Sequence, residues 1–255
     1  MLLAMDVGNT NTVIALYDGE NLRRSWRMAT EKSRASDEIG VLLLQFLKTE
    51  QLDAAAVDAV ILSSVVPPVM HALKNAIKRY FGCRIMEVGP GVKTGMNIRC
   101  DDPKEVGADQ IANAVAAVKK YGAPLIVVDY GTATTFCVVD QRGDYLGGLI
   151  VPGLKISMDA LFERAAKLPR IEIKKPPALI GKTTVGSMQA GAFYALAAQT
   201  DGIVERIRAK LGQPDCRVIA TGGLAGFAAE EAETIDVVDR RLTLDGLRLI
   251  YEKNC

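Results

Sequence analysis

Histidine is almost missing from this sequence: His71 is the only one. It sits in HALKNAIKRY, which reads as a solvated surface helix, and no Ser–Asp pattern accompanies it. A general base in this chain is therefore expected to be a carboxylate. The five cysteines (Cys83, Cys100, Cys137, Cys216, Cys255) are odd in number, scattered, and form no C-x-x-C pair. That argues against a disulfide framework or a zinc site and fits a reducing, cytoplasmic setting. Net charge is missing as well. With 31 Lys and Arg against 30 Asp and Glu the balance is +1, which gives no field for nucleic acid or an anionic membrane. No apolar run approaches the roughly 18 residues of a transmembrane helix. The N-terminus lacks a basic flank and meets Asp6 too early for a signal peptide, so it reads as a buried strand.

What is present is core. Hydrophobic residues make up 49% of 255, enough for one large domain or two small ones. Leu2–Leu16 reads LLAMDVGNTNTVIAL: an apolar run closed by Asp6, a small polar turn, and a second apolar run. Taken alone this is a β-hairpin with a common turn. The turn chemistry also suits phosphate: Gly8 lets backbone approach a ligand, and hydroxyls and free N–H groups can donate to phosphate oxygens. The pattern recurs at Leu125–Val139, LIVVDYGTATTFCVV, where Asp129–Thr135 aligns without a gap on Asp6–Thr12. Each copy is followed by a turn with Gly and an acid, Asp18-Gly19-Glu20 and Arg142-Gly143-Asp144. A repeat near mid-chain predicts two related halves, 1–120 and 121–255, with a cleft between them.

Between these motifs the chain alternates strands and helices. Asn21–Met28 reads as a third strand, with Trp26 packing on the sheet. A helix follows Ser36, then a buried strand at Val57–Leu62, and Pro67-Pro68 open a helix that runs to about Tyr80. Arg84–Val88 is a short strand, and Gly89–Lys104 an irregular loop near a site. Gly107-Ala108-Asp109-Gln110 opens the next helix. Asp109 reads equally well as a charge complementing the helix dipole and as a general base. A strand at Asp144–Val151 precedes a helix at 154–168. Pro169–Pro177 reads as a surface excursion or a subdomain boundary. Gly181–Gly186, GKTTVG, resembles a P-loop but lacks its upstream glycine. A long helix from Ser187 carries Gly191, Ala192, Ala195, Ala197 and Ala198, which suit close packing within the core or across a dimer. Arg217–Thr221 is a strand that ends in Gly222-Gly223. A strand near Thr234–Val238 and a helix from Thr243 complete the chain.

The ordered set DVGNTNT, DYGTATT and Thr221-Gly222-Gly223 resembles the superfamily of acetate and sugar kinases and actin-like ATPases. That resemblance implies an α/β fold of two actin-like (ribonuclease H-like) halves related by a pseudo-twofold axis, each a mixed sheet flanked by helices. With SSVVP at Ser63–Pro67, GAD at Gly107–Asp109, GGLIVPG at Gly147–Gly153 and ATGG at Ala220–Gly223, essentially the whole chain is similar to type III pantothenate kinases. The resemblance implies ATP-dependent phosphorylation of the pantothenate hydroxyl, the first step of coenzyme A biosynthesis. It further implies a cytoplasmic homodimer using Mg²⁺ or another divalent cation, and K⁺ or NH₄⁺. By the same resemblance Asp6, Val7, Gly8, Asn9, Thr10, Asn11, Thr12 and Val13 surround the ATP phosphates. Asp6 organises Mg²⁺ directly or through water. Gly131 and Thr132 also contact ATP, and Gly222 and Gly223 border the adenosine. Asp129 holds the monovalent cation. Asp109 is the base, and Cys100, Gly107, Ala108, Gln110 and Thr184 join it around the substrate.

This chain departs from the family pattern at the acceptor side. Gln110 stands where an arginine is usual, Cys100 where a tyrosine is usual, and Cys137 where an aspartate is usual. Gln brings no charge to meet a carboxylate, and Arg99 or Lys104 are conjectured replacements. Two other readings follow: a related kinase for another small hydroxylated acceptor, and a nucleotide-binding regulator with little turnover.

Overall fold

The computed structural model describes all residues, 1–255. Strands β1 (Leu2–Val7), β2 (Asn11–Asp18), β3 (Asn21–Ala29), β4 (Ala59–Ser64) and β5 (Arg84–Glu87) form one sheet in the order β3-β2-β1-β4-β5. Strands β6 (Leu125–Tyr130), β7 (Ala133–Val139), β8 (Tyr145–Pro152), β9 (Arg217–Gly222) and β10 (Val237–Val238) form another in the order β10-β9-β6-β7-β8. Read from the meander outward, both sheets run third, second, first, fourth, fifth. In each, the first strand pairs antiparallel with the second and parallel with the fourth. The repeat expected from the Asp-x-Gly turns is thus a repeat of whole sheets.

Seven helices accompany them: α1 (Ser36–Thr49), α2 (Pro67–Tyr80), α3 (Ala108–Tyr121), α4 (Leu154–Arg164), α5 (Thr184–Leu211), α6 (Ala225–Ala228) and α7 (Leu242–Glu252). The prolines start α2 as expected, and Gly212, at φ 65°, ends α5 in the left-handed conformation that favours glycine. Helix α4 stops at Arg164, short of the expected 168. Helix α5 begins at Thr184 rather than Ser187, because the Thr183 hydroxyl accepts from Gly186 N at 3.0 Å and caps it.

The chain forms two compact units. The first comprises 1–96, 102–116 and 242–255, and the second 97–101 and 117–241. This partition interleaves the chain, where the sequence reading cuts it once, between 120 and 121. The C-terminal helix explains the interleaving. α7 packs on β1, β2 and β4, and a Cβ at Gly246 would overlap the Ala112 backbone, so α7 lies tight against α3 within the first unit.

In the first unit Leu3, Met5 and Val7 of β1 meet Ile39, Leu43 and Leu47 of α1 and Leu73 and Ile77 of α2 in one core. Ala4 and Leu2 point to the opposite face, which α7 covers. A sheet covered on both faces explains the unbroken apolar run at the N-terminus. Truncating a buried Leu such as Leu3 to Ala would cost about 2–5 kcal/mol. Trp26 stacks on Phe46 at 5.7 Å, packing on the sheet as its position implied. In the second unit Ile126, Val128 and Tyr130 of β6 pack against Ala192, Leu196, Val204 and Ile207 of α5. The small residues of α5 therefore divide: Ala192 and Ala197 are buried, while Gly191, Ala195 and Ala198 are exposed. No helix is long and apolar enough to cross a membrane.

Candidate active site

In the first unit, β1 delivers Asp6 to its C-terminal end, where the strand abuts β4 in parallel with Asp6 opposite Ser63. Ser63 is fully buried and donates to Asp6 Oδ1 at 2.7 Å. This fixes the carboxylate at the mouth of the turn. The turn itself closes through Gly8 N to Asn11 O at 3.1 Å, leaving Asn9, Thr10 and Asn11 exposed. Thr12 is buried and bonds the Thr30 hydroxyl at 2.9 Å, and Thr30 N donates to Thr10 O at 3.0 Å. Val7 is core, and Val13 is half-buried opposite Asp6. The result is a rigid hairpin end with exposed polar tips and one carboxylate held in place.

The same unit carries Asp109 in the first turn of α3. Its Oδ1 accepts from Gln110 N at 2.9 Å. Burial pushes the Asp109 carboxyl above the ordinary carboxylate range, although the backbone N–H bonds of Gln110 and Asp109 itself act the other way. Withdrawal from water disfavours the charged form and makes the carboxylate a stronger base. A Cβ at Gly107 would overlap Asp109 Oδ1, so the glycine of the Gly-Ala-Asp motif makes room for the carboxylate. Ala108 and Gln110 flank it, both half-buried. The helix behind them is anchored: Thr243 Oγ1 donates to Asn113 Oδ1 at 2.7 Å.

In the second unit, β6 delivers Asp129 as β1 delivers Asp6. The registers differ, however. Asp6 lies opposite Val13, whereas Asp129 lies opposite Thr135, so the second turn is one residue shorter. The ungapped alignment of Asp6–Thr12 on Asp129–Thr135 slips at this point. Thr12 matches Thr134, both buried, and Val13 matches Thr135. Gly131 N closes the short turn onto Ala133 O at 3.1 Å, with Gly131 and Thr132 exposed. Gly153 N donates to Thr132 O at 3.1 Å, and a Cβ there would overlap that carbonyl. Gly222, at φ 90°, ends β9 beside Asp129, where a Cβ would overlap Asp129 Oδ1. The structure thus brings Asp129, Thr132 and Gly222 together at the C-terminal ends of β6 and β9, and Gly223 follows with open space around it. Tyr130 points the other way, into the core, bonded to Thr200 at 2.8 Å and pushed by burial up to about 12.

Cys100 belongs to this second unit. Its segment is stitched to β8 by Arg99 N to Tyr145 O at 2.8 Å and Tyr145 N to Asn97 O at 2.9 Å. Burial raises its thiol, so it stays protonated and offers no charge. Cys137 is buried in β7, next to the Tyr145 hydroxyl at 3.8 Å. Thr184 is exposed and lines a cavity of about 760 Å³. Of the conjectured cations, Arg99 is drawn to Asp140 and Asp144 at 3.9 and 3.7 Å.

No group of three or more His, Cys, Asp and Glu side chains is placed to cage a metal. A single carboxylate such as Asp6 instead suits an ion that arrives with phosphates and keeps part of its water shell, as Mg²⁺ does. Sequence reasoning missed Ser63 as the partner of Asp6. The signals were the SSVVP motif at Ser63–Pro67 and a polar residue closing a buried strand.

A family model for type III pantothenate kinase matches residues 2–206. The chain belongs to the type III pantothenate kinase family. A relative of that name from an Exiguobacterium species is 53% identical over 254 residues, spanning 100% of this chain and 99% of the relative. Another from Geobacillus kaustophilus is 52% identical, spanning 100% and 98%. Among solved structures, a Campylobacter jejuni protein described as a Baf family transcriptional activator superposes with a TM-score of 0.62 at 18% identity, over 99% of this chain and 98% of its own. At that identity the likeness speaks for the fold. The two five-stranded sheets with flanking helices are the α/β fold that the sequence motifs implied.

Proposed function

We propose that this chain transfers the γ-phosphoryl group of ATP to the hydroxyl of pantothenate, giving 4′-phosphopantothenate for coenzyme A synthesis. The observation that carries the reading is the match to type III pantothenate kinases across the full chain, combined with a half-buried Asp109, its carboxyl raised by burial, beside a glycine that accommodates it.

Phosphoryl transfer asks mainly for positioning and for neutralisation of charge. The exposed tips of Asn9, Thr10 and Asn11, and the N–H groups around Gly8, engage the β- and γ-phosphates. Gly131 and Thr132 take further phosphate contacts, and Gly222 and Gly223 border the adenosine. Asp6, oriented by Ser63, holds the Mg²⁺ that travels with ATP. Asp129 would hold K⁺ or NH₄⁺, which would supply positive charge to offset that of the phosphates. Asp109 orients the acceptor hydroxyl and takes its proton as the bond to phosphorus forms. An alcohol is too weak an acid to lose the proton earlier. Gly107, Ala108, Gln110, Cys100 and Thr184 surround the acceptor. The enzyme works as a homodimer in the cytoplasm.

The test is direct. Purified protein given ATP, Mg²⁺, K⁺ and pantothenate is expected to form phosphopantothenate, detected by mass. Turnover no greater than a no-enzyme control at saturating substrate contradicts the proposal.

A further inference from the structure

An acidic acceptor needs a positive partner, and the residues assigned to it so far supply none. Gln110, Thr184 and the protonated Cys100 are uncharged, Asp109 is itself an acid, and Arg99 is engaged by Asp140 and Asp144. The cavity beside Thr184 holds a different candidate. Its wall is apolar along Met158, Leu161, Leu168 and Met188, and Lys182 is the one charged residue that lines it.

The hydrogen bonds of that wall show which polar groups remain for a ligand. Thr183 Oγ1 is used, accepting from Gly186 N at 3.0 Å. Ser187 Oγ is used, donating to Gly181 O at 3.2 Å. These two bonds fold the Gly181–Ser187 turn on itself and set the positions of the residues between. The Thr184 hydroxyl and the Lys182 ammonium have no partner within the chain, and no carboxylate lines the cavity to neutralise Lys182. An apolar wall with one hydroxyl and one uncompensated cation suits a small branched apolar molecule that ends in a carboxylate.

We propose that Lys182 is a specificity-determining residue that receives the carboxylate of the acceptor, with Thr184 bonding the acceptor beside it. This rests on the reading of the chain as a kinase for pantothenate. A lysine at this place acts as a point charge, so it selects for the acid over a neutral analogue without touching the phosphorus centre.

The experiment compares two acceptors, pantothenate and the corresponding alcohol in which the carboxylate is replaced by CH₂OH. Lys182→Met is expected to raise the KM for pantothenate at least about tenfold, the loss of one charged hydrogen bond, with kcat and the KM for the alcohol and for ATP within about twofold. Lys182→Arg should keep the preference for the acid. Equal rises in KM for both acceptors, or no rise for either, would overturn the proposal, as would transfer of the effect to Lys104→Ala. Failure of the wild-type protein to phosphorylate either acceptor would count against the kinase reading alone. Equilibrium dialysis with labelled pantothenate then decides the role of Lys182. Binding that is lost in Lys182→Met and kept in Lys182→Arg supports it, whereas equal binding, or none by the wild type, refutes it.

Discussion

The two Asp-x-Gly turns occupy the same slot in the same strand order, yet their carboxylates are supported differently. Asp6 is gripped by a side chain, the buried hydroxyl of Ser63, donated from the parallel neighbour. Asp129 faces Thr221 in the same register, but there the neighbouring strand contributes closeness: the backbone at Gly222 crowds Asp129 Oδ1. The first turn is one residue longer and exposes three polar tips, and the second is short and tied back by Gly153. The difference fits a division of labour under the proposed function. Ser63 would hold the Asp6 carboxylate in one orientation toward a divalent ion, while the close backbone at Gly222 would set the space beside Asp129 for a monovalent one.

The comparison can be broken experimentally. The largest effect is expected from Gly222→Ala. The new Cβ would overlap Asp129, and alanine is strained at φ 90°. A loss of about 1–3 kcal/mol in unfolding free energy is expected, with weaker activation by K⁺. Denaturant titration and a K⁺ activation curve check both, and a variant with unchanged K⁺ activation would separate Asp129 from the cation. A smaller effect is expected from Ser63→Ala, which removes a hydrogen bond to a charged group. A loss of about 1.5 kcal/mol in transition-state stabilisation, roughly tenfold in kcat/KM for ATP, should follow. The counterpart Thr221→Val keeps the branched shape and removes a hydroxyl that does not bond Asp129. Its kcat/KM should stay within about threefold, as expected for a substitution away from a hydrogen-bonded network. Similar losses in these two variants would erase the asymmetry.

Much of this was legible in the sequence because it is local. Apolar runs closed by Asp-x-Gly marked β1 and β6, and Pro67 marked the start of α2. The recurrence of the turn marked the recurrence of the sheet. What was not legible depends on distant partners. Ser63 is 57 residues from Asp6 in sequence, and although it opens the SSVVP motif, nothing local shows which carboxylate it bonds. The one-residue slip between the turns shows only in strand register, since both read as small and hydroxyl-rich. The sequence reading started α5 at Ser187, after the GKTTVG stretch, whereas the Gly186 N–H inside that stretch is the group that the Thr183 cap satisfies. The packing of α7 against α3 rests on Gly246, a glycine inside a helix, which local propensity counts only as a weakness.

Asp109 carries the chemistry in this account, and its environment has a pH consequence. Burial raises its folded value above the unfolded one, so the folded state holds the proton more tightly. Its contribution favours folding at pH below the unfolded value and is lost as pH rises through the folded one. The charged base is therefore held at a cost to stability. Activity should fall on acidification through a value above the ordinary aspartate range, as read from kcat/KM against pH.

The most direct measurement is kcat of Asp109→Asn with pantothenate, taken together with its Kd for ATP. A fall of at least about 10²-fold in kcat with ATP affinity unchanged is predicted, the usual share of a general base. A kcat within about threefold of wild type would contradict the account, because a group that merely complements a helix N-terminus contributes to stability and leaves turnover alone.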